Sequence, residues 1–120
     1  MKSFKGLIVW QKAMALAKKI YTISQNFPQD DLYGITSQLR RCSVSIPANI
    51  AEGYGRYSPQ DNRRFLSIAN GSLYELQTLV ELAHDLGYIR DNDFGIIEDD
   101  SNEMGRILSG YIKKLSAKIP

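Results

Sequence analysis

The stretch from Ser43 to Tyr57 constrains this chain more than any other. It reads Ser-Val-Ser-Ile-Pro-Ala-Asn-Ile-Ala-Glu-Gly-Tyr-Gly-Arg-Tyr, a helical pattern that carries Pro47 in its middle and Gly53 near its end. In a helix interior those residues cost roughly 3 and 1 kcal/mol relative to alanine. A helix that keeps them requires packing to offset the cost. With 100° per residue, Leu39, Cys42, Ser43, Ile46, Ile50, Gly53 and Tyr57 fall on one face. Val44, Ala48, Ala51 and Gly55 form a second face of small or apolar residues. Gln38, Arg41, Ser45, Asn49, Glu52 and Arg56 make the one polar stripe. A surface helix normally hides one apolar stripe; this one is apolar over more than half its circumference. The pattern predicts burial on two sides, in the bundle and against a neighbouring subunit through Val44, Ala48, Ala51 and Gly55. The alternative is the central helix of a monomer. Pro47 removes the donor for the Ser43 carbonyl, so a kink is expected near Ser43–Pro47.

Around this helix the pattern predicts three more. The first runs from about Leu7 to Asn26, with Trp10, Ala13, Met14, Ala17, Ile20, Tyr21 and Ser24 at spacings of three and four. Phe27-Pro28 closes it, and Gln29 to Gly34 reads as a polar loop. The central helix starts at Ile35 or Thr36 and ends at Gly55. A third starts at Ser58, an N-cap candidate followed by Pro59 and Asp61. Its expected core face is Phe65, Ile68, Ala69, Ser72, Leu76, Leu79, Val80, Ala83 and Leu86, with Gly87 as the stop. The fourth is capped within Asp91–Asp93 and runs to about Lys118, its apolar positions being Phe94, Ile97, Met104, Ile107, Leu108, Tyr111, Ile112 and Leu115. No alternating β-branched run suggests a sheet. The expectation is all-α: one domain over residues 1–120, an antiparallel up-down-up-down four-helix bundle with a Pro-kinked second helix.

A chain of 120 residues can form a core without disulfide or metal staples. The single cysteine, Cys42, lies on an apolar face and reads as a packed thiol, which suits a reducing compartment. The first residues lack a signal-peptide pattern, and no apolar run approaches the ~20 residues of a membrane helix. The expected setting is cytoplasmic, with no membrane partner.

Charge is uneven. Residues 1–64 hold ten Lys/Arg against four Asp/Glu, and residues 65–120 hold five against nine. Such asymmetry suits a basic binding face or complementary helices within the fold. Arg40, Arg41, Arg56, Arg63 and Arg64 cluster around the second helix and the turn after it, with Tyr54 and Tyr57 between them; Lys12, Lys18 and Lys19 lie on or beside the outer face of the first. Arginine with aromatic residues suits phosphate contact and base stacking, so RNA or DNA is a candidate partner. Glu75 falls at the margin of the apolar arc of the third helix. A carboxylate there needs a partner, and a polar network of Arg41, Ser45, Asn49, Glu52 and Glu75 is expected.

Chemistry finds few parts. Glu81-Leu82-Ala83-His84 supplies half of a di-metal bundle motif, but His84 is the one histidine in the chain. Cys42 and His84 lack an orienting third group. Gly53-Tyr54-Gly55 lacks the further glycine and the Lys-Ser/Thr of phosphate loops. No catalytic residue, cofactor or metal is expected.

The assembled motifs resemble a bacterial family, the four-helix-bundle proteins encoded by intervening sequences of 23S ribosomal RNA genes. The matching runs are Val9-Trp10-Gln11-Lys12-Ala13, Thr36-Ser37-Gln38-Leu39-Arg40-Arg41 and Ser45-Ile46-Pro47-Ala48-Asn49-Ile50-Ala51-Glu52-Gly53. Gly71-Ser72-Leu73, Glu75-Leu76 and Leu86-Gly87-Tyr88 follow. The resemblance implies an antiparallel bundle that assembles into a homopentamer. The family is more distantly similar to the accessory proteins of diversity-generating retroelements, pentameric barrels whose basic surfaces engage nucleic acid and a reverse transcriptase. Cys42 and Tyr57 stand where alanine and a basic residue are more usual. The combined expectation is a non-enzymatic oligomeric scaffold or adaptor contacting RNA or DNA. The alternative is a protein-binding module without nucleic acid.

Overall fold

The computed structural model describes residues 3–120; Met1 and Lys2, part of the N-terminal reading, lie outside the described residues. Four long helices form an all-α bundle: α1 (Ile8–Ser24), α2 (Ser37–Tyr54), α3 (Pro59–Asp85) and α4 (Asp91–Ser116). Each packs on its neighbour in sequence, and α1 closes against α4. The body measures 48 × 22 × 22 Å. At about 1.5 Å per residue, the longer helices span most of that length. Links between neighbouring helices climb one as they descend the other. Lys12 meets Glu103 and Lys19 meets Asp100; Ser45 meets Ser72, while Gly53 lies against Asn62.

Local chemistry sets the ends. Ser58 Oγ accepts the Asp61 amide N–H at 3.1 Å, and Pro59 occupies the first turn of α3. Gly87, with φ at +81°, turns the chain after α3, as the sequence predicts. At α4 the expected acidic cap is absent: Arg90 is the capping residue, with no side-chain cap, and Asp91 and Asp93 lie inside the first turn. There their charge favours the positive helix end without a capping bond. The predicted loop before α2 is also partly helical. A 3-10 turn (Gln29–Asp31) leads into a π turn (Leu32–Thr36) that is kinked at Gly34 (φ −104°, ψ −113°) before it enters α2. In it the Ser37 amide reaches back to the Leu32 carbonyl.

The core is made by Leu16 and Ile20 of α1, Leu39, Ile46 and Ile50 of α2, Leu73 and Leu76 of α3, and Ile97, Met104 and Leu108 of α4. On α3 the buried face differs from the predicted one. Leu66 and Leu73 are core, whereas Ile68 and Leu86 are 42% and 52% exposed. The apolar arc of α3 is wider than the groove between α2 and α4, and packing selects its centre.

Pro47 is buried within a continuous α2. Gly53 is buried where α2 meets α3: a Cβ there would stand 3.0 Å from Phe65 Cβ and 3.2 Å from the Asn62 carbonyl oxygen. Both atoms are fixed to helix backbone, so the helices would have to part. At Gly71 a Cβ would meet nothing within 4 Å. Gly53→Ala is therefore expected to destabilise by about 1–3 kcal/mol, and Gly71→Ala to stabilise by roughly 0.5–1 kcal/mol. Urea melts of the two variants should shift in opposite directions; two shifts of the same sign would refute the close α2–α3 approach.

Candidate functional site

The polar stripe of α2 divides into separate contacts. Ser45 Oγ lies 2.8 Å from Ser72 Oγ on α3, and Asn49 Nδ2 donates to the Ser45 carbonyl at 2.8 Å and to its hydroxyl at 3.0 Å. This Ser45–Asn49–Ser72 group is the polar seam between the two helices. The other three expected members stand apart. Arg41 Nη2 donates to Ser37 Oγ at 3.3 Å, and Glu52 pairs with Arg56 at 2.7 Å along the same helix. Glu75 is exposed and has no hydrogen bond or ion pair among the described residues. One turn of phase places Ser72, not Glu75, against Ser45. A serine amid the predicted core face of the third helix was the available sign, since a buried hydroxyl needs a partner.

Outward from this seam, both helices show apolar surface. Val44 is 45% exposed, Ala48 and Gly55 are exposed, and Ala51 is half-buried. On α3, Ile68 and Leu82, 42% and 48% exposed, share one face with Glu75 by helical phase. The small face of α2 is thus open in the single chain.

The predicted cations are scattered, and many are spent within the fold. Lys12 pairs with Glu103 and Lys19 with Asp100, both at 2.7 Å, tying α1 to α4. The pairs are half-exposed, so each contributes at most about 1 kcal/mol. Arg56 and Arg64 stack on Phe65, 4.6 and 4.5 Å from its centroid, and lie near Glu52 and Asp61. Arg63 donates to Ser116 Oγ at 3.3 Å. Lys18 is exposed and has no ion pair among the described residues. Arg40 donates through Nε to Ser24 Oγ at 2.8 Å and lies over the Tyr21 ring. Arg40 and Arg41 share one hollow at the start of α2, whereas Arg56 lines another together with Glu52 and Asp61. Tyr57 is fully exposed and Tyr54 partly so.

At the far end of α3, one ligand atom each from Glu81, His84 and Asp85 lies within 4.8 Å of the others. The histidine is already engaged. Its Nε2 is 2.7 Å from Asp91 Oδ1 and its ring stacks on Phe94 with centroids 4.0 Å apart. These contacts fasten the α3–α4 turn.

Comparison with known proteins agrees with this architecture. A family model described as 23S rRNA-intervening sequence protein matches residues 5–110. A crystal structure of a protein with unknown function, from the S23 ribosomal protein family of Bacteroides thetaiotaomicron, is similar. It shares 27% identity and a TM-score of 0.82, over 88% of this chain and 99% of its own. No curated protein matches the chain.

Cys42 is buried at 3% exposure, and its thiol donates to the Leu39 carbonyl. Burial first, then the charge of Glu75, pushes its pKa from the ordinary 9.0 up to about 12. The folded thiol holds its proton through a range in which the unfolded thiol loses it. Its contribution is complete below pH 9.0 and lost as pH rises toward about 12, at a slope of about 1.4 kcal/mol per pH unit. Cys42→Ala should flatten the fall in stability above that lower bound, read from urea midpoints against pH. An unchanged slope would refute the buried-thiol account.

Proposed function

The chain belongs to the 23S rRNA-intervening sequence protein family, and on that premise we propose that it is a non-enzymatic scaffold that works as a homo-oligomer. The observation that carries this reading is the open small face of α2. Val44 and Ala48 are exposed on a helix whose opposite face is core. Small residues permit close helix approach, and contiguous exposed apolar surface marks an interaction site. Self-association buries this face on every copy, and the family resemblance implies five copies. Light scattering on the wild type should give a multiple of the chain mass. Val44→Arg combined with Ala48→Arg should reduce it to one chain with the helical signal intact. A wild-type monomer would refute the scaffold reading.

A second reading adds contact with RNA or DNA. It is favoured by Arg40 and Arg41, which share a hollow that no carboxylate lines. Binding to a mixed-sequence single strand should weaken steeply as salt rises, since phosphate contact releases counterions. A shift assay showing no binding at low salt would leave the protein-binding alternative.

A further inference from the structure

The π turn that leads into α2 builds a hollow of about 530 Å³. Its chemistry comes from Tyr21, Tyr33, Thr36, Ser37, Arg40 and Arg41. From these side chains we infer that the hollow is a nucleotide site, taking a phosphate on the arginines and a base on Tyr33. The inference deepens the nucleic-acid reading above and rests on it.

Four observations carry it. First, the charge is one-sided. Two arginines, adjacent in sequence, line the hollow without a carboxylate. The nearest acids in sequence are Asp30 and Asp31, and Asp31 accepts the Tyr88 hydroxyl instead. Second, donors remain. Arg40 uses Nε on Ser24, and Arg41 uses one terminal nitrogen on Ser37. A guanidinium has further N–H groups arranged as a fork that suits phosphate oxygens. Third, Tyr33 is 92% exposed at the rim, an aromatic ring with almost no protein against it. Burial does not account for it, whereas a stacked base would.

The fourth observation is Thr36. It is 2% exposed, and among the described residues its Oγ1 is the one buried side-chain polar atom without a hydrogen bond. In an ordinary helix a threonine hydroxyl turns back to the carbonyl one turn earlier. Here that carbonyl, on Leu32, is shared with the Ser37 amide across the π turn. A buried hydroxyl left unpaired costs free energy, and a ligand oxygen would recover it. The volume lies within the usual range for small-molecule sites.

The test titrates the full-length wild type at low salt with adenosine 5′-monophosphate, inorganic phosphate and a short labelled oligoadenylate. The mononucleotide should bind more tightly than phosphate alone. Tyr33→Ala and Arg41→Glu should each weaken it about tenfold, with melting temperature unchanged. Thr36→Val should weaken it severalfold while the fold is kept. Equal affinity for mononucleotide and strand would identify a free nucleotide as the source. A strand bound far more tightly, yet still lost in Tyr33→Ala, would identify single-stranded nucleic acid. Three results overturn the inference: no binding of either, phosphate competing as well as the mononucleotide, or binding that the Tyr33 and Arg41 variants leave unchanged. Val44 also lines the hollow, so the assembly is dissociated here with Ala48→Arg and Ala51→Arg, and binding seen only in that dissociated protein also overturns the inference, because the hollow then belongs to the subunit interface. If Lys18→Glu weakens strand binding while Tyr33→Ala does not, the basic surface stands and the hollow falls.

Discussion

A proline sits buried in α2, the helix that packs against both α1 and α3, and the fold depends on offsetting it. With no amide at position 47, the Ser43 carbonyl lacks its helical donor, a loss of about 3 kcal/mol with the ring clash included. The compensation lies one face away. Leu39, Ile46 and Ile50 are almost wholly buried, and each such side chain stabilises by roughly 1.5–3 kcal/mol. Gly53 completes the same face by letting α3 approach within contact of its bare Cα. The polar side chains of the seam are economical too. Ser45, Asn49 and Ser72 satisfy one another and a backbone carbonyl, so α2 and α3 gain register without a buried charge.

This arrangement explains why α2 has two characters. A helix in a four-helix bundle can bury about half its circumference on its neighbours. The sequence of α2 is apolar over more than that, and the remainder is made of Val44, Ala48, Ala51 and Gly55. Large side chains there would be an aggregation hazard; small ones present little area per residue but permit backbone contact. On α3, Glu75, exposed between Ile68 and Leu82, places a charge within an apolar strip. A lone carboxylate in such a strip disfavours indiscriminate association, because any covering partner must supply a donor or a cation.

How much of this the sequence shows depends on whether the cause is local. Ser58, Pro59 and Gly87 are legible because capping and left-handed turns are set within a few residues. The two faces of α2 are legible because phase is a property of one helix. The pairing of Ser45 with Ser72 rather than Glu75 is not, since it depends on how two helices slide and rotate against each other. The same rotation makes Leu73 core and leaves Ile68 at the surface. The π turn at Leu32–Thr36 is hidden for a different reason: the polar residues before it look like a loop. Its register is fixed at a distance, by Tyr88 on Asp31 and Phe27 against Tyr88. Thr36 could not have been singled out, because an unpaired hydroxyl is defined by what surrounds it.

Much of the basic charge is offset within the chain. Net charge is only +2, and Lys12, Lys19, Arg56 and Arg64 all lie against acids within the same chain. Solvent ions screen what remains within about 10 Å. A diffuse field of that strength would hold a polyanion weakly. Two arginines that line one hollow with an exposed tyrosine would depend less on the field, since they would act at contact distance. Repetition changes its effect further. If several copies assemble through α2, the hollow recurs around the assembly, and one strand reaching two of them binds with an effective concentration in place of a second encounter. A site too weak alone becomes useful by multiplication, which gives one physical reason for coupling an open small-residue helix face to a small arginine–tyrosine hollow on the same helix.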